Sequence, residues 1–135
     1  MLARRKLCAI LLALPVAAVA DAAFAQQDSK KKGGGVSYIP FPTLTATIFH
    51  ADGERGVLTV EAGVDVADPA LRQRANVSVP RLRAAYVEVL QVYAGGLPPG
   101  APPDADYIAR RLQEQTDKVL GKPGAKLLIG SILIN

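Results

Sequence analysis

The chain reads as a small α+β domain: a mainly antiparallel sheet in the order β-β-α-α-β, with two helices packed on one face. Three observations predict it. Residues 43–66 alternate apolar and polar side chains on either side of an Asp-Gly turn. Residues 68–120 carry two helical patterns bounded by capping signals, and the run after Lys126 is nearly all apolar.

Residues 1–25 stand apart from that domain. Arg4, Arg5 and Lys6 form a basic start, Leu7–Ala20 an apolar stretch of 14 residues, and Ala23-Phe24-Ala25 a small-x-small cleavage signal. The stretch is shorter than the ~20 residues a spanning helix needs, so residues 1–25 read as a signal peptide. The alternative is an uncleaved anchor at the inner membrane, lengthened by Ala17–Ala25 and interrupted by Asp21. A lipoprotein is excluded because Cys8 precedes most of the apolar run. The Arg4-Arg5 pair has twin-arginine character, but Ala3 stands where a serine or threonine is usual, so general secretion is an equal alternative. Either route places the protein in the periplasm.

Removing the first 25 of 135 residues leaves 110, enough for one domain with a single core. It also removes the only cysteine, which excludes disulfides, thiolate nucleophiles and cysteine metal sites. Of 16 basic and 12 acidic residues, three and one are lost, so the net charge falls from +4 to +2. That balance argues against nucleic acid as a partner, and the sequence pI of about 9.4 overstates how basic the exported chain is.

Residues 26–36 form a polar, basic and then glycine-rich linker. Lys30, Lys31 and Lys32 serve either as a solubilising spacer or as a peripheral contact to anionic lipid, at about 1 kcal/mol each. The domain then occupies residues 37–135. Pro40 and Pro42 suit an extended lead-in. Thr43–His50 follows as a strand with Leu44, Ala46 and Ile48 on one face. Ala51–Gly56 is a hairpin loop, and Val57–Val66 returns with Leu58, Val60, Ala62, Val64 and Val66 inward.

Asp68-Pro69 is a helix start, and Gly95-Gly96 a stop. Between them Leu71, Ala75, Val79, Leu82, Tyr86, Val89, Leu90 and Tyr93 share one ~100° sector, which predicts one long helix. Arg72 and Arg83 flank the stripe on one side, Arg74 and Arg81 on the other, where their stems cover the core edge. Pro80 falls opposite the stripe, where its missing N–H frees a carbonyl that water can reach. The same outer face carries Val77, Ala84 and Val87. Val77, Pro80, Ala84 and Val87 are therefore the candidate partner surface, with self-association as the expectation.

A proline-rich loop leads to a second helix, Ala105–Leu120, capped by Asp104, stopped by Gly121 and carrying a Glu114–Lys118 pair. The final run, Ala125–Asn135, is apolar on both parities, which predicts a strand buried on both faces or partnered on its second face. It is expected to pair beside the hairpin.

The side chains for catalysis are missing. His50, the only histidine, lies beside a turn without partners for a zinc site. Asp65 and Asp68 are spaced to share a hard cation, but Asp68 is better used as a cap. Glu61 and Asp65 share a strand face, which reads as solvated. Gly33–Gly35 lack the lysine of a phosphate loop, and no serine has a base and an orienting acid. The expectation is a non-enzymatic protein that needs no cofactor and no metal.

"LTVEAGVDVADPALRQRANVSVPRLRAAYVEVL" and "RRLQEQTDKVLGKPGAKLLIGSILIN" resemble the periplasmic domain of the flagellar basal-body-associated FliL family, over residues 43–135. The resemblance implies a stomatin-like topology, ring formation and support of the flagellar motor's stator units. The chain departs from the family in its signal-like start, where a transmembrane helix is usual, and in the long "YAGGLPPGAPPDA" link. Together these predict a periplasmic interaction or scaffold domain, the expected partners being a second copy or a periplasmic or inner-membrane protein. The alternative is a periplasmic carrier that binds a small apolar ligand between sheet and helices, which requires an enclosed cavity of ~300 Å³.

Overall fold

A computed structural model describes residues 35–135. The signal peptide, residues 26–34 of the linker and the lysines at 30–32 lie outside the described residues. The fold is α+β, with a small antiparallel sheet and three helices.

The central strand is β3 (Arg55–Val66). One of its edges pairs with β2 (Leu44–Phe49) and, further along, with a short β1 (Tyr38–Pro40). Pro40 and Pro42 do not merely lead in. They interrupt one long strand, because neither has an N–H for the ladder, while Phe41 between them donates to the Ala62 carbonyl at 3.0 Å. The hairpin closes at His50–Glu54, where Gly53 takes φ 84 and the Asp52 carboxylate accepts from the Glu54 N–H. Every inward residue expected of the hairpin is buried, from Leu44, Ala46 and Ile48 to Val66.

The other edge of β3 pairs with β4 (Ala125–Ile134), as expected, but β4 is not buried on both faces. The register slips between Glu61 and Ala62, so that Gly130 is the extra residue of a β-bulge. Ala125, Leu127 and Ile129 face the helices before it, and Ile132 and Ile134 after it. One bulge thus moves the inward set from odd to even numbers.

Three helices cross one face of the sheet. The Asp68 carboxylate caps α1 (Pro69–Val77), accepting from the Leu71 N–H at 2.9 Å. The single helix expected from Asp68 to Ala94 breaks at Ser78, and α2 runs from Val79 to Gly96. Pro80 cannot donate to the Asn76 carbonyl, and its ring crowds that carbonyl in a continuous helix. Ser78 absorbs the change at φ −96, ψ 1, its N–H shared between the Arg74 and Ala75 carbonyls. The stripe keeps its phase across the break: Leu71, Ala75, Ser78, Leu82, Tyr86, Leu90 and Ala94 are buried, while Val79, Val89 and Tyr93 border the core.

The third helix, α3 (Ala105–Leu120), is capped by Asp104 and stopped by Gly121 at φ 79, a conformation that favours glycine. Arg74 reaches its far end and donates to the Leu120 carbonyl at 3.2 Å. The ion pair on its surface joins Arg111 to Glu114 at 2.6 Å, not Glu114 to Lys118. Both partners are exposed, so the exchange matters little for stability. In the core, Thr116 donates to the Leu112 carbonyl and the Tyr86 hydroxyl donates to Thr116. The Phe41 ring meets Tyr86 edge-on at 5.1 Å.

Candidate interaction surfaces

Among the described residues the helices cover one face of the sheet, and the outward residues of each strand define the other. On β1 and β2 these are Tyr38, Pro40, Thr45, Thr47 and Phe49; on β3 they run from Arg55, opposite Phe49, to Asp65 at alternate positions. On β4 they are Lys126, Leu128, Ser131 and Leu133. Most are small or polar. Phe49, Val57 and Leu133 are not, and they are 45%, 43% and 55% exposed.

The register sets these three in a row. Val57 lies opposite Thr47 and Asn135, so Phe49 and Leu133 are its diagonal neighbours on either side. Diagonal cross-strand positions lie within reach of large side chains, which makes Phe49–Val57–Leu133 one apolar row from edge to edge. Elsewhere on this face the Tyr38 ring lies over Gly63, where any Cβ would collide with it. Leu128, 39% exposed, stands opposite that glycine.

The outer edge of β4 is only partly closed. The Gln113 side chain on α3 accepts from the Leu127 N–H and donates to the Ala125 carbonyl, both at 2.8 Å, as a neighbouring strand would. Beyond the bulge, Asn135 exchanges both backbone bonds with Val57, so alternation points the N–H and C=O of Ile132 and Ile134 away from β3. Among the described residues no side chain caps those two. Ile132 and Ile134 are themselves only half-buried.

Three of the four residues of the candidate helix surface are exposed. Val77, 75% exposed, Pro80 and Ala84 lie on the outside of α1 and α2. Val87 is half-buried and packs against the core, so it borders that surface instead of standing in its middle. A hollow runs between α2 and α3, about 590 Å³ in volume. Its walls include Val89, Val92 and the stacked pair Tyr93–Tyr107, with Arg111 and Lys118 on the rim. It lies outside the layer between sheet and helices, which the fully buried side chains of Leu58, Val60, Tyr86, Leu90 and Leu112 occupy. A carrier was expected to hold its ligand in that layer.

The residues weighed for chemistry are dispersed. The His50 ring is tucked against Gly56, Glu61 accepts from the Ser131 hydroxyl at 2.9 Å, and Asp68 serves as a cap with Lys122 at 3.9 Å. Among the described residues no group of three or more His, Cys, Asp or Glu side chains is placed to hold a metal ion. Burial pushes the Tyr86 phenol up to about 12; the Asp117 charge adds to the rise and the Thr116 bond opposes it. That side chain is fully enclosed, so it belongs to the core. No described helix is long and apolar enough to cross a membrane.

Sequence reasoning found the helix row but not the sheet row or the open edge. The one signal for the bulge is Gly130 inside "LLIGSILI", since a glycine within a strand pattern often accompanies one, but pairing with Glu61 and Ala62 is what fixes it. Comparison of the chain with protein-family models and with curated proteins gives no match.

Proposed function

We propose that this is a non-enzymatic protein-interaction or scaffold domain of the periplasm, built to pair its uncovered sheet with another protein. The observation that carries the reading is the Phe49–Val57–Leu133 row, apolar side chains held in register on a face that no helix among the described residues covers. A row of this kind, continuous with an unpaired strand edge, is a feature that proteins normally blunt with charge or proline. The row formed by Val77, Pro80 and Ala84 supplies a second surface for the same role. The resemblance to the FliL family extends the proposal to ring formation and to the stator units of the flagellar motor.

A photo-reactive amino acid at position 57 tests the interaction role. Illumination of cells exporting the protein is expected to give discrete adducts, whereas the same group at Arg110, exposed on α3, gives none. Equal or absent cross-linking at the two positions contradicts the reading. Swimming speed after deletion of the gene tests the motor association separately: unchanged motility removes that association and leaves the interaction role standing.

A further inference from the structure

We propose that the partner of the open β4 edge is a second copy of this chain, paired antiparallel across a two-fold axis at Leu133. The proposal rests on the interaction reading above and names the surface and the occupant. Ile132 and Ile134 direct their free N–H and C=O groups to that edge. With Leu133 on the axis, Ile132 of one copy stands opposite Ile134 of the other, and each of these two pairs exchanges two hydrogen bonds. All four backbone groups of each open edge are then satisfied.

The side chains fit the same register. Leu133 meets its own symmetry mate on the uncovered face, so the two apolar rows join end to end across the axis. On the inner face, each half-buried Ile132 lies beside the partner's Ile134. Residues 127–135 contain no charged side chain, so no like charges meet across the axis. Gln113 closes the first part of the strand and leaves open the part that this register uses. The chain's own segment 26–34, "QQDSKKKGG", is a poor occupant, because lysines and glycines neither fill apolar positions nor favour strands. The contact is small, so a weak dimer is expected.

Sedimentation equilibrium of the exported protein, purified as it accumulates in the cell, tests this with a charge swap. Leu133 is largely exposed, so L133K and L133E are expected to fold, as circular dichroism verifies. Each alone is expected to associate at least tenfold more weakly than wild type, because like charges face across the axis. An equimolar mixture is expected to regain the dimer mass, a rescue that only direct contact between the two positions provides. V77D, on the helix row, is expected to dimerise like wild type. Dimerisation of L133K at the wild-type concentration, failure of the mixture to recover, or loss of the dimer only in V77D overturns the proposal. A wild-type protein that stays monomeric at 100 μM yet gives adducts from position 57 also overturns it, and leaves the interaction reading intact.

Discussion

Tyr86 shows how a single side chain ties sheet to helices. Its ring takes the edge of Phe41 from the sheet side, and its hydroxyl donates to Thr116 on α3. Burial lifts its pKa to about 12 from the ordinary 10.0. Between those values the unfolded phenol has lost its proton and the folded one has kept it. The folded state therefore binds more protons, and stability falls as pH rises. The contribution, about 2–3 kcal/mol, is fully present below pH 10 and is lost as pH rises through 12. Urea midpoints measured across that window should drop less in Tyr86→Phe than in wild type; equal slopes would refute the assignment. At neutral pH the same substitution should cost about 1 kcal/mol, since it leaves Thr116 one acceptor site unfilled.

At the scale of the element, Pro80 and Gln113 each explain a boundary. Pro80 already sits in the first turn of α2, with the break at Ser78 taking up its geometry. Pro80→Ala should therefore change the unfolding free energy by less than about 1 kcal/mol, against the ~3 kcal/mol of a proline in a helix interior. A gain of 3 kcal/mol in denaturant unfolding would show that the break is strained. Gln113→Ala removes two hydrogen bonds from the β4 edge and should cost about 1–3 kcal/mol. It should also raise the tendency to aggregate by lengthening the open edge, which light scattering on heating reads directly. Much of this level was legible in the sequence. Asp68, Asp104 and Gly121 bound their helices as read, because capping is local chemistry that a few neighbouring residues decide. The break at Ser78 was not, since 3.6-residue periodicity reports which face is buried and is blind to a one-residue interruption that preserves phase. The bulge at Gly130 was missed for a related reason: apolar residues on both parities fit either a doubly buried strand or a parity switch, and only pairing with Glu61 and Ala62 decides. The sheet row was invisible for want of register, because Leu133 is distant in sequence from Phe49 and Val57 and joins them only through the pairing of β4 with β3.

At the scale of the whole domain, the described residues form a sheet with one covered side. Helices seal the inner face from Leu44 to Leu127, Gln113 closes the start of the last edge, and the outer face ends in an apolar row at an open strand. We propose that this unfinished corner is where the protein works, first against its own copy. Hydrogen exchange of the β4 amides at increasing protein concentration is the decisive measurement. The Ile132 and Ile134 amides, unpartnered among the described residues, are expected to become protected as concentration rises through the dimer range. The Leu127 amide, already held by Gln113, should keep a constant rate. Exchange at Ile132 and Ile134 that stays fast and independent of concentration would rule out pairing through this edge.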